Sequence, residues 1–474
     1  METCSIARIF RLQLQDLAMY PHKLCSLVFR SLLRLLLGFP PSSLSKFFRD
    51  EHVHPSLTKT KMLSTLPELP QDILMVIFAA LEIPDLVRAG SVCSSWHSAY
   101  AELRTLGQYN QRQTPCLVYA SESDPDDVLS LYSLAEKKSY KLTLPQPPIR
   151  SRYFIGSSHG WLVTVDERSE MHLLNPITCE QIALPSVTTI EHVKPIFDEY
   201  GEVCKYEMSW HTGMRISRDP PSIFALAELR DRLQWKAFVF PDTSTGSYIV
   251  VLIHHPQCQL SFAKAGDDKW TWLPPAYLYN DCIYKDGILY AVNTLGEFHA
   301  FDVSGPVVTV KTIIRVPEHY DCDSRYIVQA PWGSLLFVYR IVHYHELESK
   351  PGASEYYWNT SEIKIFGIDA LWNKIEVINY LPDHVLFLGH SLSLCLGADE
   401  YPALKANRSY FTDDNMLWTL GQKNNRCDMG ILNLDDNNIE ELVSPQLWSK
   451  CPAPMWITPD LRKFNGMGST SKRL

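Results

Sequence analysis

The chain has 474 residues, 46% of them apolar and 20% charged, and carries a formal net charge of −9. That length exceeds one ordinary core, so two or three domains are expected, and the composition is that of a globular protein rather than a disordered one. The negative total excludes a chain-wide polyanion-binding footprint, so nucleic acid is not an expected partner.

The charge is unevenly placed. Residues 1–49 hold seven Lys/Arg against Glu2 and Asp16, leaving 37 basic and 51 acidic residues for the remainder. Within that tail, "LCSLVFRSLLRLLLGF" (24–39) carries Arg30 and Arg34 and stops at Pro40-Pro41. A membrane span needs about 20 apolar residues, so no transmembrane span is expected here. Lys23, Arg30 and Arg34 fall on one helical face, which predicts a basic amphipathic helix. It is open whether such a helix targets an organelle, lies on a membrane surface or has no docked role. Residues 40–65 are rich in Ser, Thr and Pro and read as a linker, so 1–65 is expected to be an N-terminal extension.

"LPQDILMVIFAALEIPDLVRAGSVCSSWHS" (69–98) is short, apolar and interrupted by Pro84. Pro70 and Asp72 suit the start of a helix, in which Ile73, Leu74, Ile77 and Leu81 form one apolar stripe. Pro84-Asp85 predicts a second helix, with Leu86 and Val87 inward and Gly90 at its end. Ser91 is expected to cap a third, with Val92, Cys93, Trp96 and Ala99 or Tyr100 on one side. Three helices in so few residues can hardly bury all these side chains, and the surplus surface must cover something else.

From Cys116 the texture changes to short Val/Ile/Leu/Tyr/Phe runs between turns, such as "GWLVTVD", "GSYIVVLI", "GILYAV" and "SLLFVYR". Strand follows strand, with the period-2 alternation of half-buried sheets. Gly160, Gly201, Gly246, Gly287 and Gly333 recur at intervals near those of propeller blades. The expected fold class is mainly β: a three-helix unit at 66–106, a β-propeller-like domain of about six blades at 116–445, and a C-terminal tail at 446–474. Two stacked β-sandwiches are the alternative.

Sites of catalysis or metal binding are weakly signalled. The 12 cysteines include no CxxC pair, which leaves zinc-finger and redox-pair readings without support and fits single thiols in a reducing compartment. "GHSLS" (389–393) nearly spells a nucleophile elbow around Ser391, but no strand–helix pattern surrounds it. His343 with His345, or His52 with His54, lacks a third ligand by spacing. Asp267-Asp268 and Asp413-Asp414 suit turns better than paired acid–base work, because neighbouring side chains on a strand point oppositely. Accordingly no catalytic residue, cofactor or metal is expected.

The helical block closely resembles the F-box, on Leu69-Pro70, Asp72, Ile73-Leu74, Ile77, Leu81, Asp85-Leu86, Val92-Cys93 and Trp96. Ser94 and His97 depart from the basic residues frequent there, and Gly90 from a larger one. "GHSLSLCLGADEYPALKANRSYFTDDN" (389–415) looks like the C-terminal signature of a plant F-box family in which a kelch-like β-propeller domain of unknown function follows the F-box, and "GSSHGWLVTVDERSEMHLLNPITCEQIALP" (156–185) looks like the first full blade of that domain. That resemblance implies a non-catalytic substrate-recognition subunit of a Skp–cullin–F-box ubiquitin ligase, in the nucleus or cytoplasm. The implied partners are a Skp-type adaptor, cullin through it, and an unidentified target on the propeller. The implied adaptor-binding residues are Leu69, Pro70, Ile73, Leu74, Ile77, Leu86, Val92, Cys93 and Trp96, with Leu74 and Ile77 facing the adaptor groove. The alternative is a ligand- or glycan-binding propeller, or a hydrolase, with a non-functional F-box.

Overall fold

The computed structural model describes residues 69–106, 109, 112–212, 219–242, 245–273, 278–305, 307–316, 324–349, 353–369, 374–414, 428–443 and 452–461. The basic extension and linker at 1–65, with His52 and His54, lie outside them. The chain divides into two compact units, Met1–Gln113 and Thr114–Leu474.

The first unit holds helices α1 (Gln71–Phe78), α2 (Ile83–Gly90) and α3 (Ser94–Thr105). Pro70 precedes α1 in extended backbone, with Asp72 in the first turn, and Pro84 sits in the first turn of α2. These positions suit the residues, since proline lacks the N–H that a helix start leaves unpaired. The third helix begins two residues later than expected. Ser91 is the C-cap of α2, where its hydroxyl donates to Arg88 O at 2.7 Å, and Cys93 is the N-cap of α3. Val92 and Cys93 therefore lie in the connection before α3, not on its face. Gly90 is needed for closeness: a Cβ there would stand 2.8 Å from the Tyr100 ring. After α3 the chain returns to close the unit, as Ile83 N donates to Gln113 Oε1 (2.7 Å) and Tyr109 Oη to Leu81 O (2.6 Å).

Seven sheets make up the described part of the second unit. Six have four or five strands and spread over 116–143 with Met455–Ile457, then 153–183, 234–273, 279–315, 324–378 and 384–440. Each touches the next. Tyr153–Ser158 packs on Gln234–Asp242 and on Met455–Ile457, Ser247–His254 on Tyr279–Lys285, and Tyr279–Lys285 on Ser324–Gln329. Ser324–Gln329 reaches Leu394–Gly397, and Phe387 meets Trp456 at 5.2 Å, which closes the circle. The result is a six-bladed propeller.

Its closing strand corrects one expectation. Met455–Ile457, inside the stretch 446–474 read as a tail, pairs antiparallel with Cys116–Val118. Four residues between Pro454 and Pro459 show no alternation to read, yet Met455, Trp456 and Ile457 are at most 2% exposed.

The five spaced glycines all adopt positive φ, from +68° to +93°. Four of them turn the first hairpin of a blade. The fifth, Gly201, turns the hairpin of the seventh sheet, which has three strands (Val193–Phe197, Val203–Met208, Ser222–Ala225) and lies outside the ring. Only a residue without Cβ adopts this backbone freely, so the repeat marks hairpins.

Most of the apolar clusters are shared between neighbouring blades. One joins Phe238 and Val251 with Phe298 and Phe337, and another joins Val118 and Leu131 with Leu162 and Leu174. Two buried charge groups knit the strands further. Lys236 Nζ donates to Asp281 at 3.1 Å while Ile327 N donates to the other Asp281 oxygen at 3.0 Å, linking three blades. Arg340 donates to Asp428 (2.8 Å) and to Thr412 O (2.8 Å). Such ions are tolerated in a core only because every charge has a partner.

Candidate functional site

The apolar residues of the helical unit divide into two sets. Leu74, Ile77, Phe78, Leu81, Ile83 and Leu86 are buried, none more than 9% exposed. Phe78 meets Trp96 edge-on at 5.5 Å, and Gln71 Nε2 donates to Ser98 Oγ and Glu102 Oε2, so α1 is pinned along α3. The second set faces solvent: Val76 is 71% exposed, Leu106 53% and Val92 45%. Pro70 and Cys93 are exposed with them, while Leu69, Ile73 and Trp96 are half-buried.

This division corrects the placement of three expected adaptor-binding residues. Leu74, Ile77 and Leu86 are core side chains and offer no free docking face. Leu74 and Ile77 mark the face of α1 that the protein itself covers, while Leu81, past the end of the helix, is buried in the connection before α2 and Ile73 is only half-buried. Expected residues that do reach solvent are Pro70, Val92 and Cys93, which are exposed, and Leu69, Ile73 and Trp96, which are half-buried. Val76 was missed. Its signal was available, since it stands two positions from Leu74, about 200° around the helix, and is therefore an apolar residue off the stripe.

The enzyme-like motifs land in structural roles. Gly389–Ser393 connects strands His384–Leu388 and Leu394–Gly397, where a nucleophile elbow would feed a helix. Ser391 is 3% exposed, and the neighbouring His390 Nδ1 lies 3.1 Å from the backbone oxygen of Asp414. Asp414 accepts from Tyr326 Oη (2.6 Å) and Ser324 Oγ (3.0 Å), and Arg340 beside it helps hold its carboxyl below the usual range against burial. Asp267 accepts from Lys264 N at 2.8 Å, as a turn residue does. Among the described residues no group of three or more His, Cys, Asp or Glu is placed to hold a metal, and no helix is long and apolar enough to cross a membrane.

One titratable cluster was not foreseen. His192 stacks on His211 at 4.4 Å and lies 5.6 Å from His254, with Trp272 edge-on to both His192 and His211. Burial, with the neighbouring histidines, depresses His192 to about 3, and burial depresses His254 to about 4. These rings fasten the three-stranded sheet to the blade at 234–273. They come from separate loops and strands, which is why no local motif announces them.

Comparison with known proteins agrees with the two-unit architecture. The family model described as F-box-like matches residues 66–103, and the one described as KIB1-4 beta-propeller matches residues 131–433. The F-box protein KIB4 of Arabidopsis thaliana is 27% identical over 359 residues, covering 74% of this chain and 83% of that protein. The F-box protein SKIP23 of the same plant is 24% identical over 427 residues, covering 85% and 98%. F-box only protein 7, also from Arabidopsis, is 26% identical over 350 residues, covering 69% and 80%.

Proposed function

Because this chain belongs to the family of plant F-box proteins with a KIB1-4 beta-propeller, we propose that it is the substrate-recognition subunit of a Skp–cullin–F-box ubiquitin ligase. The F-box unit docks a Skp-type adaptor, which joins it to cullin, and the propeller presents a target protein. The observation that carries the reading is the second apolar set. Val76, Val92, Pro70 and Cys93 stay in water although the unit has filled its core with Leu74, Ile77, Phe78 and Leu86. Apolar side chains that a finished core leaves in water fit a surface awaiting another chain.

On this reading the protein forms and breaks no bond itself. Its contribution is proximity: a target lysine held near a charged ubiquitin carrier reacts at a raised effective concentration. The compartment proposed with this reading is the nucleus or cytoplasm. The test is bridging. Cullin should be retained on the immobilised full-length chain only when a Skp-type adaptor is supplied. Retention without adaptor, or none with it, overturns the assignment.

A further inference from the structure

The three-stranded sheet is the part of the second unit that the ring does not use. Its inner side is anchored, since Val193, Tyr206 and Met208 are buried and Tyr206 Oη donates to Arg168 O at 2.8 Å. Its first hairpin is presented to solvent, with every residue from 197 to 202 exposed. Tyr200 is 82% exposed and Phe197 58%.

The turn that carries these rings is held in one shape. Asp198 Oδ1 accepts from both Tyr200 N and Glu202 N at 2.9 Å, Asp198 N donates to Glu202 O at 2.9 Å, and Gly201 closes the turn at φ +81°. Two aromatic rings on a fixed loop lose little conformational freedom on binding, which favours their use as anchors. The charge around them is mainly acidic: Asp198, Glu199 and Glu202 lie beside the rings, and although the exposed Lys194 and Lys205 flank the hairpin, acidic residues outnumber basic ones from 194 to 207.

We propose that this hairpin docks a basic segment of a target protein. A Lys or Arg of that segment packs over Tyr200, its neighbours pair with Glu199 and Glu202, and an apolar side chain rests on Phe197. The charge decides against the two rival occupants. An anionic lipid surface is repelled by the three carboxylates, and a purely apolar partner would strip water from them without replacing it. The proposal rests on the target-receptor reading above and supplies the chemistry of the target it takes.

The test uses the full-length chain and a fluorescein-labelled peptide, Lys-Lys-Leu-Lys-Leu-Lys-Lys, with its Glu-for-Lys counterpart as control, followed by anisotropy. The basic probe should bind, more weakly as salt is raised, and the acidic one should not. Tyr200→Ala and the pair Glu199→Lys with Glu202→Lys should each weaken binding tenfold or more. Both variants should melt as wild type does, because the altered side chains are in water. Equal affinity of Tyr200→Ala and wild type overturns the proposal, and so does loss on charge reversal alone, which would be unspecific attraction. Binding of phosphatidylserine vesicles that is lost in Tyr200→Ala and strengthened by the charge reversal would make the hairpin a membrane contact instead. Peptide binding that survives where adaptor binding fails sinks the ligase reading and spares the hairpin; the opposite pattern does the reverse.

Discussion

Two substitutions only two residues apart on α1 should have opposite consequences. Val76 is 71% exposed and Leu74 1%. Fully burying a valine contributes about 1.5–3 kcal/mol, so the exposed share of Val76 has roughly 1–2 kcal/mol to give to an adaptor interface. Val76→Ala should therefore weaken adaptor binding roughly 5- to 30-fold. Val76→Glu, which would bury an unpaired carboxylate, should abolish it. Neither change removes a core contact, and surface substitutions usually shift stability by no more than about 0.5 kcal/mol. Leu74→Ala instead opens a cavity and should destabilise the helical unit by about 2–5 kcal/mol. Titration calorimetry with a Skp-type adaptor gives the affinities, and thermal melting followed by circular dichroism gives the stabilities. If Leu74→Ala weakened binding while melting as wild type, and Val76→Glu bound normally, the assignment of the two faces of α1 would be wrong.

Other outcomes follow from the propeller. Acid should loosen it through His192 and His254, whose folded values are depressed to about 3 and about 4 from an ordinary 6.5. Between those values the unfolded chain binds more protons, so stability is full above pH ~6.5 and falls as pH falls. By pH 5 each ring loses about 2 kcal/mol. A melting series from pH 8 to 5 should show the decline, and His192→Asn should flatten it; an unchanged slope in that variant counts against the cluster. Trp456→Ala removes a buried ring from the closing strand and should lower stability by about 3–5 kcal/mol in urea denaturation; a loss under about 1 kcal/mol would mean the strand does not close the ring. Lys236→Ala strands the Asp281 carboxylate in the core and should lower stability by about 3–5 kcal/mol. Near-wild-type denaturation would show that water reaches the pair.

What could be read from the sequence depended on the range of the signal. The start of α1 and the stripe of Leu74, Ile77 and Leu81 are local patterns, and the structure has them. Which apolar face is left for a second chain is not local, and the stripe marks side chains that this chain buries itself. Ser91 resembles an N-cap, but its hydroxyl already serves the end of α2, and two cap chemistries compete at so short a connection. Glycine spacing located five hairpins. It could not distinguish the four in the ring from Gly201, because a hairpin's turn carries no record of what its sheet packs on. The closing strand and the His192–His254 contact join residues far apart in the chain, and no local period encodes either.

The central claim is that the helical unit carries a docking surface for a Skp-type adaptor, and native mass spectrometry of the full-length chain mixed with purified adaptor tests it most directly. The account predicts a one-to-one complex heavier than the 54.3 kDa chain by one adaptor, formed by wild type and absent for Val76→Glu. A folded wild-type chain that stays at its own mass with adaptor in excess would contradict it.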